Sequence, residues 1–270
     1  MKRGSALLAL LLLFAATALD AHDLFLRLDS FFLTPGSTAR IRVLNGTFSK
    51  SENSVTRDRI RNLSIVGPNG IVASDTSMWS ATGDTSIFRF AVPAPGTYVA
   101  AASLLPREIT LKATDFNTYL ETDGIPDVLA ARRKSGELGK DAAERYSKHV
   151  KALIQVGTSR NGSVDKALGY PAELVPLDNP YSTASRGWLR VRADVDGKPV
   201  GNQLLVTGGR TPRGTRFTER RIRTDANGIA RIRIAQKGQW YVKFINMVPV
   251  TGQPNLDYES KWATLTFQVR

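Results

Sequence analysis

The sequence predicts a mainly β protein: two immunoglobulin-like β-sandwich domains joined by a short αα connector. Three observations carry this. Apolar and polar residues alternate in many short stretches, and Gly, Pro, Asn and Asp clusters separate those stretches at roughly ten-residue intervals. Only the middle of the chain leaves period two for a near-helical spacing. The expected division is a leader over 1–21, an N-terminal sandwich over 22–115, a helical connector over 116–168 and a C-terminal sandwich over 169–270.

The leader is an apolar run from Ala6 to Ala16, preceded by Lys2 and Arg3. It is shorter than the about 20 apolar residues a membrane span needs, and it ends among small residues, which is the pattern of a cleaved export signal. Two cleavage points fit. Ala16-Thr17-Ala18 is the better small-x-small site, and a cut after Ala21 makes His22 the mature N-terminus. A cut after Leu19, which would begin the chain with Asp20-Ala21-His22, places a poor residue at the scissile bond. The expected location is the periplasm.

In the N-terminal region Ala39, Ile41 and Val43 alternate with Arg40 and Arg42, after a turn at Thr34-Pro35-Gly36-Ser37. Asn45 to Arg59 reads as a polar loop. Leu63 and Ile65 lead into Gly67-Pro68-Asn69-Gly70, a hairpin turn returning through Ile71-Val72-Ala73. Phe88, Phe90 and Val92 continue the alternation, Pro93-Ala94-Pro95-Gly96 interrupts it, and Tyr98 to Ala101 resumes it.

The connector holds two expected helices. Pro126-Asp127 opens the first and Gly136 ends it. Lys140-Asp141 opens the second, where Ala142, Tyr146, Val150 and Leu153 fall on one stripe and Glu144 and Lys148 form an i, i+4 pair. Beyond Gly169 the alternation returns at Leu189, Val191, Ala193 and Val195. Asp196-Gly197-Lys198-Pro199 turns into Leu204-Leu205-Val206. Ile222, the Asp225-Ala226-Asn227-Gly228 turn, and Ala230, Ile232 and Ile234 make an expected hairpin, and strands at Trp240–Phe244 and Ala263–Val269 complete the domain.

Composition narrows the function classes. The chain has 270 residues and no Cys, which excludes disulfides, zinc fingers, thiol nucleophiles and iron–sulfur clusters. Net charge is +13, and loss of Lys2, Arg3 and Asp20 with the leader lowers it by one. In an exported protein such a balance points to anionic envelope polymers or lipid headgroups rather than to nucleic acid, or serves solubility alone.

Two histidines are the candidate metal ligands. As a mature N-terminus His22 offers an amine and an imidazole on one residue, a chelate suited to nickel, cobalt or copper; otherwise it is the first residue of a strand. His149 is either a residue at the edge of the apolar stripe or a second ligand facing His22. Eight arginines, Arg210, Arg213, Arg216, Arg220, Arg221, Arg223, Arg231 and Arg233, form either a solvated strand face or a grip for phosphate and carboxylate groups. The Asp225-x-Asn227-Gly228 cluster lacks the further acidic positions of a calcium loop and reads as a turn. Neither histidine is flanked by a nucleophile on a Gly-x-Ser-x-Gly turn and no phosphate-binding Gly-rich loop is present, so no catalytic residue is assigned and no enzyme is expected.

Ala21-His22-Asp23-Leu24-Phe25-Leu26, Thr34-Pro35-Gly36, Ala91 through Tyr98, Glu144 through Lys148, Leu174 through Tyr181, Asp196 through Pro199 and Thr224 through Gly228 together resemble the bacterial family named domain of unknown function 4198. The resemblance spans nearly the whole mature chain. It implies similarity to periplasmic components of cobalt and nickel uptake systems, with a membrane metal transporter as partner and His22 as terminal ligand. A ligand role for His149 rests on its chemistry alone. The alternative is a non-enzymatic envelope module that binds anionic polysaccharide or lipid through the arginines.

Overall fold

The computed structural model describes residues 22–182 and 187–270. The expected leader, 1–21, lies outside the described residues. The protein is mainly β, as predicted, with two α-helices.

Strand β1 (Asp23–Arg27) pairs antiparallel with β3 (Ser37–Gly46), after the two-residue β2 (Phe32–Leu33). The turn before β3 needs a positive φ at Gly36 (+81°), as Thr34-Pro35-Gly36-Ser37 predicts. The hairpin β4 (Ile60–Gly67) and β5 (Gly70–Val72) closes through Gly70 at φ +111°. Then come β6 (Trp79–Thr82), β7 (Thr85–Val92), β8 (Gly96–Leu104) and β9 (Arg107–Leu111), followed by α1 (Ala113–Thr122) and α2 (Pro126–Lys134). Pro126 occupies the first turn of α2, where its missing N–H costs nothing.

Strand β10 (Ala142–Val156) occupies the stretch where a second connector helix was expected. Its stripe spacing fits a helix, but its period-two set, Val150, Ala152, Ile154 and Val156, is buried in one core while Leu153 between them is buried in another. A strand covered on both faces shows no polar alternation, which is why periodicity misreads it. The predicted Glu144–Lys148 pair does not form: Glu144 accepts from the Tyr119 hydroxyl at 3.1 Å and from Ser260, and the Lys148 ammonium donates to the His22 carbonyl. Asp141, expected to open that helix, instead caps α1 from outside, accepting from Ala113 N at 3.0 Å and Lys112 Nζ at 2.8 Å.

The remaining strands are β11 (Ala172–Pro176), β12 (Trp188–Val195), β13 (Lys198–Pro199), β14 (Leu204–Arg210), β15 (Arg220–Arg223), β16 (Ile229–Arg233), β17 (Gly238–Pro249) and β18 (Tyr258–Val269). A ten-stranded sheet runs β15-β14-β17-β18-β10-β8-β4-β5, with β2 and β9 also on β10. Its centre is the parallel β10–β18 pair, in register from Glu144–Tyr258 to Ala152–Thr266. A four-stranded sheet, β1-β3-β7-β6, covers one face, and a second, β11, β12, β13 and β16, covers the other. The two sandwiches therefore share their middle layer.

The turn at Asp225–Gly228 forms as a turn, with Asp225 Oδ1 accepting from Asn227 N and Ile229 N at 2.9 Å each. It does not close a hairpin. β15 pairs with β14 in the large sheet and β16 pairs with β12 in the covering sheet, so the turn crosses between layers. Ile232 is buried in the core between those layers and Ile222 packs against its edge, so both contribute to that core without pairing.

Candidate functional site

Where the N-terminal end of the covering sheet meets the large sheet, a cleft of about 650 Å³ opens. β1 brings His22, Asp23 and Phe25, and the loop after β3 brings Phe48 and Glu52. α1 brings Asp115 and, as its C-terminal cap, Asp123; the loop between β14 and β15 brings Arg216 and Glu219, and β17 brings Tyr241 and Lys243. Phe25, Phe48 and Tyr241 pack together with centroids 5.0–5.3 Å apart, Phe25 and Phe48 edge to face and Tyr241 tilted against both, and form an apolar wall.

The floor of the cleft is a buried charge cluster. Lys243 donates to Asp23 Oδ2 and lies 3.3 Å from Asp123 Oδ1. Burial opposes the Lys243 charge, but the two carboxylates outweigh it and hold its pKa above the usual lysine value. Asp123 is pushed up to about 6, first by burial and further by the neighbouring Asp23 charge, with Lys243 pulling the other way. Beneath the floor lies Lys148 of β10, its ammonium 5.0 Å from the centre of the Trp262 ring. Burial lowers its pKa to about 8, against the raising influence of Asp23, Glu144 and Asp123. The Tyr241 hydroxyl donates to Glu219, and burial together with that carboxylate raises its pKa.

His22 stands at the rim. Its Nε2 lies 3.2 Å from Glu52 Oε2, and its carbonyl is held by Lys148. In a neutral ring, a carboxylate beside Nε2 favours the proton on that nitrogen, which would leave Nδ1, the nitrogen nearer the backbone, with a free lone pair. Next to it, Asp23 Oδ1 is buried and has no hydrogen-bond partner among the described residues. Among the described residues no cluster of three or more His, Asp or Glu side chains is close enough to form an all-protein cage.

The structure does not bring His149 to His22. Successive side chains of a strand point to opposite faces, so Lys148 faces the cleft and His149 faces the other layer. There His149 is 2% exposed, with Nδ1 2.9 Å from Ser103 Oγ and Nε2 3.0 Å from Ser147 Oγ. Burial, reinforced by Arg61 and Lys261, lowers its pKa to about 3, so both nitrogens serve internal hydrogen bonds of a neutral ring. The expectation of a two-histidine site is corrected accordingly.

The eight arginines are dispersed rather than aligned on one face. Arg216 lines the cleft, Arg210 reaches Gly214 O at 3.4 Å, and Arg213 is exposed. Arg223 makes a bidentate pair with Asp127 at 2.8 and 2.9 Å. Arg220, Arg221, Arg231 and Arg233 gather round a separate groove on the open edge between β15 and β16.

Sequence reasoning missed Glu52, Asp123, Tyr241 and Lys243. For Lys243 a signal existed: a lone lysine inside the otherwise apolar run Trp240–Ile245 signals a buried charge that requires partners. Glu52 and Asp123 lie in a loop and at a helix end, where nothing local marks them.

The profile described as Domain of unknown function (DUF4198) matches residues 19–247, and the chain belongs to that family. No curated protein matches it. Solved structures similar to it include Escherichia coli alpha-2-macroglobulin activated by porcine elastase, at 10% identity and TM-score 0.22, and Salmonella alpha-2-macroglobulin reacted with methylamine, at 11% and 0.22. Each match covers 92% of this chain but only 20% and 15% of the other, so the chain spans a fifth or less of those proteins.

Proposed function

We propose that the protein is an exported metal-binding accessory that takes up nickel or cobalt, with copper as the alternative cargo, at an N-terminal His22 and hands it to a membrane transporter. The observation that carries this reading is the His22–Glu52 contact of 3.2 Å at the rim of the cleft. With Nε2 committed to Glu52, Nδ1 is the nitrogen that closes a chelate ring with the residue's own amine once a cut after Ala21 frees it. Asp23 Oδ1, buried and unpartnered, supports the reading as a third donor. Metal binding of this kind displaces protons from amine and imidazole, so affinity falls on acidification, which would permit release.

Intact native mass of protein recovered from a periplasmic extract, with and without nickel, cobalt and copper, tests it. The expected species begins at His22 and gains one ion, and His22→Ala loses that gain. Glu52→Gln is expected to weaken it about 10-fold or more through the freed imidazole. A mature chain beginning at Leu19, or one beginning at His22 that takes up no metal, refutes the proposal.

A further inference from the structure

A second concavity, of about 600 Å³, lies on the open edge of the sandwich formed by the large sheet and the layer of β11, β12, β13 and β16. It exists because the turn at Asp225–Gly228 crosses between layers, leaving β15 and β16 as facing, unpaired edges. Arg220 and Arg221 line it from one side and Arg231 and Arg233 from the other. Among the described residues none of these four pairs with a carboxylate. Arg221 reaches only the Glu121 carbonyl, at 3.3 Å.

Between them stands Trp188. It is 51% exposed, directly opposite Arg233 in the β12–β16 register, and carries the Arg231 guanidinium 5.4 Å from its ring centre. Of the exposed large apolar residues, which include Ile71, Leu105 and Val248, only Trp188 lines this groove. A single indole platform flanked by the three unneutralised guanidinium groups of Arg220, Arg231 and Arg233 combines two recognition chemistries. The indole face takes the apolar C–H face of a pyranose ring, and each guanidinium matches a carboxylate bidentately. A lipid surface would require several neighbouring apolar anchors, and a nucleic-acid strand would require successive aromatic platforms for successive bases.

We infer that this groove binds an acidic polysaccharide bearing sugar carboxylates, with a pyranose stacked on Trp188 and the carboxylates held by Arg220, Arg231 and Arg233; Arg221, next to Arg220 on β15, points to the other face of the sheet and holds the Glu121 carbonyl. This site is separate from the His22 cleft and does not depend on the metal reading.

The other three tryptophans, Trp79, Trp240 and Trp262, are buried, so a ligand-dependent change in indole emission reports on Trp188. Oligogalacturonate titrated at about 20 mM ionic strength is expected to produce a saturable change that weakens about 10-fold or more at about 150 mM, as charge screening requires. Neutral dextran is expected to produce none. Trp188→Ala is expected to abolish the spectral change and to lower affinity about 10-fold in affinity electrophoresis, and Arg231→Gln with Arg233→Gln to lower it at least as much, with circular dichroism unchanged. The inference is overturned by the absence of a saturable response, by undiminished affinity in either variant, or by an equal or stronger response to phosphatidylglycerol vesicles or oligothymidylate.

Discussion

The cleft and the groove are both rich in charge, yet their electrostatics are opposite in kind. In the cleft Lys243 is buried and paired with Asp23 and Asp123, and Lys148 is buried against the His22 carbonyl, whereas in the groove Arg220, Arg231 and Arg233 face solvent without a carboxylate. Burial makes the difference. A charge removed from water must find a partner or shift its pKa, so Lys243 is held by two carboxylates and Lys148 and Asp123 are shifted from their ordinary values. An exposed guanidinium carries no such penalty and remains available to an outside anion. Charge count alone, +13 for the chain, says nothing about which kind of site a given arginine or lysine joins.

Removing one partner from the cleft should expose this contrast most sharply. Lys243→Met leaves the half-buried carboxylates of Asp23 and Asp123 facing each other without their cation and is expected to destabilise the fold by about 3 kcal/mol in urea denaturation. Replacing Arg231 in the groove should cost under about 0.5 kcal/mol by the same measurement. Comparable losses at both positions would break the distinction.

The pH dependence sharpens it next, because buried His149 on β10 and half-buried Asp123 at the end of α1 act in opposite senses. The His149 pKa falls from 6.5 to about 3 on folding, so between those values the unfolded chain holds the extra proton and stability declines as pH drops. Asp123 rises from 3.8 to about 6, so over that window the folded chain holds the extra proton and stability grows as pH drops. Each acts with a limiting slope of about 1.4 kcal/mol per pH unit. His149→Gln should therefore flatten the acid loss and Asp123→Asn should steepen it, both read from denaturation midpoints between pH 4 and 6.

Lys148 extends the test to alkaline pH. Its pKa is lowered from 10.5 to about 8, so folded protein loses that proton first and stability should rise from pH 8 towards 10.5. Lys148→Met should remove this rise. A small, salt-sensitive effect belongs to the exposed Arg223–Asp127 pair: Asp127→Asn is expected to cost under about 1 kcal/mol and to lose even that at high salt.

The candidate site was legible only in part. His22 was marked by its place after an export-like leader, and the arginines by their density, but the partners of each came from distant segments. Glu52 reaches His22 from the loop after β3, and the Arg231–Trp188 contact joins strands separated by the whole of β13 to β15. The αα connector shows the same limit: α2 was marked by Pro126 and Gly136, whereas β10 was mistaken for a helix because both of its faces are covered by residues distant in sequence.

The amino-acid sequence by itself determined the strands with one wet face, such as β3 and β12, and the turns at Gly36, Gly70 and Gly228, because local alternation and backbone sterics encode both. Only the tertiary structure decided that the two sandwiches share one sheet through the parallel β10–β18 pair, that Lys148 and His149 part to opposite faces, and that β15 and β16 separate to open the groove. Strand pairing joins residues far apart in the chain through backbone groups that every residue carries alike, so the choice of partner leaves no local mark.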